Sequence, residues 1–550
     1  MMKTKPGYRP LRGMILLAAA FTLGGCAMRD AGHPANPPSI AQKSDLRSAE
    51  RLLAQSRSLA KTFETRLGLA VAAADIASRT LSNEDGNSQR LVYNQACTEI
   101  GYLSTKVALP VTLQTPAGTY RLSFDAPRPT GAWNPAFFSK LISPSDIKNK
   151  SLVAKVPPSG YGGTLVGVHL PPDPRAKLLP RVGVSAPVTA VVNTASPAQP
   201  GDPIPTTLTL FDPSKRDSAL VAGKKRPLAA DLSAPFGYYP IPPKIGLLGM
   251  LRPEQFFEQE GLFLSQPYDP KKIPLVLIHG LMSDPSMWFP VLAALEADPA
   301  LRGHYQFWVY AYPTGSPIGF SALRLREALA KMAALYPRSP DMVIVNHSLG
   351  GVITHLQVID SGDALVQGIF KQNAPKIMAL PDDSLVKRGL IFQSNPRISR
   401  VIFVAAPHRG APLASNPIGE FGARLIRAPQ QLLSSIGTTA LQAAASAAGI
   451  KGTIAPNSIN GLSPKSPLLV AMNTVPMQVP FHSIIGVAGR PKSPLEKTSD
   501  TVVPYWSAHQ DAALSEKIVP YPHTAMFVKP EATNEIKRIL KLSAVSSDAR

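Results

Sequence analysis

A serine hydroxyl becomes a useful nucleophile only when a base lies within hydrogen-bond reach and a carboxylate fixes that base. Ser348 is the serine best placed for such chemistry. It stands in the run Val343-Ile344-Val345-Asn346-His347-Ser348-Leu349-Gly350-Gly351-Val352-Ile353. Residues 342–345 are apolar and mostly β-branched, the pattern of a short buried strand. From Leu349 onward Val352, Ile353, Leu356 and Ile359 recur at three- and four-residue intervals, which predicts an amphipathic helix. The hydroxyl therefore falls on the sharp turn from strand to helix, where the helix N-terminus favours developing negative charge.

At this turn the chain resembles the lipase and esterase branch of the α/β-hydrolase family, whose nucleophile sequence is G-x-S-x-G. Asn346 takes the place of the first glycine. The position is crowded by the strand and helix it joins, and Asn is small and tolerant of unusual backbone angles. The family's chain order is Ser, then an acid, then His, and the resemblance implies Asp500 as the acid and His523 as the base. Asp500 lies in Ser499-Asp500-Thr501-Val502-Val503, similar to the family's Asp-Gly-Val-Val, and follows a strand-like run at 481–487. His523 lies in Tyr521-Pro522-His523-Thr524, after a short strand at 517–519. Asp511 is the alternative acid but sits closer to the next strand, and His509 is the alternative base but comes too early.

The apolar run Ile273-Pro274-Leu275-Val276-Leu277-Ile278 ends in His279-Gly280-Leu281. In lipases this strand and loop supply half of the oxyanion hole, so the resemblance implies the N–H of Leu281 as one donor and the N–H of Leu349 as the other. His279, and His408 in Pro407-His408-Arg409-Gly410, read as structural or wall residues rather than bases. No metal and no cofactor is implied.

These residues need a scaffold, and 261–545 carries the pattern of one. Apolar strands at 273–278, 306–310, 342–345 and 400–406 alternate with helical stretches such as 320–335, the signature of a mostly parallel sheet with helices on both faces. That is the α/β class the resemblance implies. Residues 411–475, with a helical stretch at 425–448, interrupt the alternation as a cap over an acyl pocket or as surface decoration.

Ahead of this domain, 41–106 reads as two or three helices, with Leu46, Leu53, Leu59, Phe63, Leu67 and Val71 at helical spacings and Cys97 as a buried thiol. The bland form of that segment is a helical stalk. Short extended runs broken by Pro and Gly predict a β-rich accessory domain over 107–260, without a catalytic pattern.

Residues 1–25 place Lys3, Lys5, Arg9 and Arg12 before an apolar run too short to span a bilayer, the layout of a secretory signal. Leu23-Gly24-Gly25-Cys26 resembles the lipobox of bacterial lipoproteins, which implies that Cys26 is lipidated and that 26–40 is a flexible tether. Ala27 rather than Asp after the cysteine implies the outer membrane.

The chain has 550 residues, 57 prolines against a usual share of about 5%, and a net charge of +21. The signal contributes four of those charges, leaving +17, which suits an anionic lipid surface. No basic cluster interleaved with aromatics is present, so nucleic acid is not an expected partner. The expected function is a lipase-like serine carboxylic-ester hydrolase acting on an ester or lipid. Two other readings stay open: an acyltransferase using the same acyl-serine, and a non-catalytic envelope lipoprotein whose N-terminal region binds a partner.

Overall fold

The computed structural model describes residues 40–81, 87–147, 158–170, 178, 183–238, 245–412, 457–489, 494–526 and 529–548. The signal segment, Cys26, nearly all of the tether and the helical stretch expected at 425–448 lie outside the described residues. No helix among the described residues is long and apolar enough to cross a membrane.

The first half of the chain builds one core from helices and sheet together. Helices α1 (Ile40–Ser56), α2 (Phe63–Arg79) and α3 (Asn87–Leu103) precede strands β1 (Val111–Thr115), β2 (Gly118–Phe124), β3 (Lys140–Ile142), β4 (Gly163–His169), β5 (Val184–Thr194) and β6 (Ile204–Phe211). The strands form a mixed sheet in the order β1-β2-β6-β5-β4-β3. Leu67, Ala70, Val71 and Ala74 of α2 and Tyr93, Cys97 and Ile100 of α3 share a cluster with Tyr120, Leu122, Leu165, Ala190 and Leu208 of the sheet. The helices are thus layered on the sheet and are no free-standing stalk.

The reason is side-chain size. The run from Leu67 to Ala77 in α2 has five alanines among eleven residues and is buried except at Ile76, as a helix apolar nearly all round must be. At the contact of α3 with β4, a Cβ on Gly163 would lie 2.1 Å from the Thr98 amide nitrogen, so the two backbones touch. The expected periodicity holds only in part, because Leu59 falls between α1 and α2 and is 88% exposed. The buried carboxylate of Asp75 ties α2 to the sheet, accepting from Tyr120 Oη at 2.9 Å and Thr194 Oγ1 at 2.8 Å, with Arg79 alongside. Burial pushes the Cys97 thiol up to about 12, as for an inert core cysteine.

A hairpin of β7 (Ser218–Val221) and β8 (Lys224–Pro227) closes this unit, and the chain passes through a short apolar helix, Ile245–Leu251, into the second half. There β9 (Gly261–Leu264), β10 (Ile273–Ile278), β11 (Tyr305–Ala311), β12 (Met342–His347), β13 (Ile398–Val404), β14 (Phe481–Gly486) and β15 (Ser515–Val519) form a sheet in the order β15-β14-β13-β12-β10-β11-β9. Only β9 runs antiparallel.

Both faces are covered, which explains the unbroken apolar strands. Leu275, Leu277, Val343 and Val345 pack with Leu292, Ile536 and Ile539 of the helices Phe289–Glu296 and Pro530–Asp548. Their neighbours Val276, Ile278 and Ile344 point the other way, onto Leu325, Leu329 and Val352 of the helices Ile318–Leu335 and Leu349–His355. The register sets Ile278 of β10 opposite Asn346 of β12. The His279-Gly280 and His347-Ser348 exits therefore leave the carboxyl edge of the sheet side by side, where open α/β sheets place their ligands.

Candidate active site

Ser348 joins β12 to the helix Leu349–His355 with φ +54° and ψ −124°, a conformation that L-residues avoid. The strand-to-helix packing enforces it. Ser348 N–H donates to Val404 O at 3.0 Å, and Gly351 N–H donates to Ser348 O at 2.8 Å. A Cβ on Gly350 would meet His279 O at 2.6 Å, and one on Gly351 would meet Ala406 Cβ at 2.3 Å, so the helix can start here only with two glycines. Asn346, in the place of the family's first glycine, is fully buried. Neither Oδ1 nor Nδ2 has a hydrogen-bond partner among the described residues.

The three residues expected to act together are joined by hydrogen bonds. Ser348 Oγ–H donates to His523 Nε2 at 2.9 Å, and His523 Nδ1–H donates to Asp500 Oδ2 at 2.6 Å. The Asp500 carboxylate is 1% exposed, and its other oxygen accepts from the N–H groups of Val502 at 2.9 Å and Val503 at 2.7 Å. His523 N–H donates to Asp500 O at 2.8 Å, tying the loop after β15 to the loop after β14. With Nδ1–H given to the carboxylate, Nε2 is left to accept the serine proton.

The turn that presents Asp500 carries strain. Thr501 has φ +87°, at the position where the similar Asp-Gly-Val-Val sequence has glycine. A β-branched residue there costs about 1–2 kcal/mol, against roughly 0.5–1 kcal/mol of extra chain entropy for glycine. Thr501→Gly is expected to raise stability by about 1 kcal/mol in chemical denaturation, without loss of the Asp500–His523 bond; a lowered midpoint would contradict this.

The alternatives are engaged elsewhere. His509 Nδ1 pairs with Glu516 Oε2 at 2.6 Å and its Nε2 with Asp511 Oδ1 at 3.0 Å; burial lowers its pKa, but the two carboxylates outweigh that and raise it. His408 is fully buried, with its Nδ1 3.1 Å from His355 Nδ1, and burial holds both rings neutral. His279 Nδ1–H donates to Gly280 O at 3.1 Å, and burial pushes its pKa down to about 4. His347, which sequence reasoning passed over, lies beside His523, with ring centroids 4.7 Å apart, and its Nε2–H donates to His523 O at 3.2 Å. Its adjacency to Ser348 was the only signal in the sequence.

Gly280 lies against the nucleophile, since a Cβ on it would fall 2.9 Å from Ser348 Cβ. Among the described residues no acceptor takes the N–H of Leu281 or of Leu349. The two unengaged amides each adjoin this contact in the chain, Leu349 following Ser348 and Leu281 following Gly280, at the edge of the sheet where Ser348 meets His523. Among the described residues no group of three or more His, Cys, Asp and Glu side chains is arranged to hold a metal ion.

Among solved structures the chain is similar to a Bacillus licheniformis lipase in its mature form, at 15% identity over 51% of this chain and 97% of that one, with a TM-score of 0.30. It is also similar to a Pyrococcus furiosus esterase, at 14% identity over 50% and 84% with a TM-score of 0.26. A Burkholderia xenovorans enol-lactonase is similar at 13% identity over 49% and 92%, with a TM-score of 0.25. No curated protein matches the chain. Residues 275–535 match the sequence model described as the Alpha/beta hydrolase family. These residues, from the middle of β10 into the closing helix, form an α/β-hydrolase fold, which a helical segment and a β-rich region precede.

Proposed function

We propose that the protein is a serine carboxylic-ester hydrolase. The observation that carries this reading is the unbroken hydrogen-bond chain from Ser348 Oγ through His523 to Asp500, beside the N–H groups of Leu281 and Leu349. Ser348 Oγ attacks the ester carbonyl carbon while His523 Nε2 takes its proton, and Asp500 stabilises the imidazolium that forms. The carbonyl π electrons move onto oxygen, and that anion accepts from the two amides. Collapse breaks the carbon–oxygen bond to the alcohol, which leaves with the proton from His523. Water, deprotonated by the same Nε2, then attacks the acyl-serine and releases the carboxylic acid.

The test is chemical. The purified chain should hydrolyse nitrophenyl esters, and a fluorophosphonate should block it by labelling Ser348, read by peptide mass spectrometry. Hydrolysis that survives full labelling, or a label on another serine, would overturn the assignment.

The anchor belongs to the same proposal. Lipidation of Cys26 would hold the enzyme at the outer membrane near lipid esters, and the basic leader ahead of an apolar run and small residues supports it. Cys26→Ser should move the protein from the membrane to the soluble fraction.

A further inference from the structure

We infer that Thr314 is a positioning residue for the oxyanion loop, and that Tyr312 anchors the same loop at its start. The inference rests on reading the Leu281 N–H as an oxyanion donor. The loop leaves β10 at His279 and, on that reading, must deliver the N–H against Ser348; the residue immediately after Leu281 is strained. Met282 has φ +57° with a side chain 53% exposed, so no packing of that side chain holds the conformation. A small cleft lies at the loop, lined among others by Ser283, Asp284 and Pro285 and by Tyr312, Pro313 and Thr314. A non-glycine residue in this region carries a cost on the order of 1 kcal/mol, and such a conformation persists only where the surroundings fix it.

The surroundings are the exit of β11. Tyr312 Oη–H donates to His279 O at 2.9 Å, Tyr312 N–H donates to His279 Nε2 at 3.4 Å, and the two rings stack with centroids 4.5 Å apart. Across the cleft, Met282 N–H donates to Thr314 Oγ1 at 3.2 Å, and Thr314 is 1% exposed. That bond fixes the peptide immediately after Leu281. It also occupies the Met282 N–H, so the neighbouring amide of Leu281 is the one left unengaged.

The brace is itself clamped by residues ahead of the family-matched segment. Gly315 N–H donates to Gly249 O at 3.2 Å, and a Cβ on Gly315 would lie 1.8 Å from Met250 O. A Cβ on Gly246 would lie 2.2 Å from Met282 O, while Leu281 packs with Met250, Leu251 and Ile459. The helix Ile245–Leu251 therefore holds the brace and the loop together. With Gly280 already touching Ser348, a loop that loses its Thr314 bond cannot slide without changing the amide-to-oxyanion distance.

Thr314→Val keeps the volume and removes the acceptor. Its kcat on nitrophenyl esters is expected to fall about ten- to hundredfold, with KM changing less than about threefold, because the lost alignment matters only once the oxyanion forms. Inhibition by an alkyl boronic acid, which becomes tetrahedral on Ser348, should weaken by the same factor as kcat, and Thr314→Ser should restore both to within about threefold of the parent. Should the valine variant fail to fold, Thr314→Cys against Thr314→Ser, close in size but unequal as acceptors, reads the same contrast. Parental kcat and boronate affinity in Thr314→Val or Thr314→Cys, or equal losses in the serine variant, would overturn the inference while leaving the ester-hydrolase reading intact. A parent chain that neither turns over esters nor takes the fluorophosphonate at Ser348 would instead remove the reading beneath it.

Discussion

Ser348→Ala should lower kcat/KM for nitrophenyl esters by about 10⁴- to 10⁶-fold, the range reached when the nucleophile of a serine triad is deleted. The fold should be unmoved, since alanine keeps the Cβ and the backbone conformation at φ +54° is set by packing around Gly350 and Gly351. Asp500→Asn should cost about 10⁴-fold by a different route. An amide facing His523 Nδ1 no longer selects the tautomer that leaves Nε2 free for Ser348, and the Val502 and Val503 N–H groups keep only a neutral oxygen to bind. Steady-state kinetics with active-site titration checks both. Retention of even a tenth of parental activity in Ser348→Ala would remove the serine from the reaction.

The second large effect concerns acid. Four histidines in the catalytic half, His279, His347, His355 and His408, are fully buried, and burial depresses each pKa, to about 4 for His279 and about 3 for His355. A histidine with a folded pKa below its unfolded value of about 6.5 contributes stability that is fully present above pH 6.5. That contribution is lost as the pH falls toward the folded pKa. At pH 5 the loss is about 2 kcal/mol for His279 and for His355, and His347 and His408 act in the same direction.

Glu296 works the other way. Burial pushes its carboxyl up to about 7 despite Lys272 and Arg302, so its burden is relieved as the pH falls, by roughly one histidine's worth. The histidines therefore dominate, and the melting temperature should fall steeply between pH 7 and pH 5. His355→Gln, which keeps a polar group opposite His408 but takes up no proton, should flatten that fall. Equal melting temperatures at pH 7 and pH 5 in the parent chain would refute the account.

The hydroxyl turn was legible because its constraints are local. A β-branched run, a serine and two glycines before helical spacing leave few conformations other than a strand, a sharp turn and a helix. The alternation of apolar strands with helices in 261–545 was equally legible, since a parallel sheet covered on both faces demands it. Less visible was what substitutes for glycine. Asn346 leaves buried polar atoms without partners among the described residues, and Thr501 sits at φ +87°, so two departures from the glycines of the similar sequences are tolerated only because surrounding packing overrides local preference. The association of α1, α2 and α3 with the sheet of β1 to β6 was hidden for the same reason: an alanine-rich helix does not say what it packs against.

Residue types and order along the chain were enough to specify the α/β class of the second half, the turn that carries Ser348, and one acid and one imidazole in the family's succession. The contacts themselves were decided by tertiary structure: 175 residues separate Ser348 from His523, and 33 separate His279 from Tyr312. A sequence pattern records local conformational preference and burial. The distance between two loops is set by strand register, and here by Ile278 standing opposite Asn346 and by the Thr314 hydroxyl bridging the cleft to Met282.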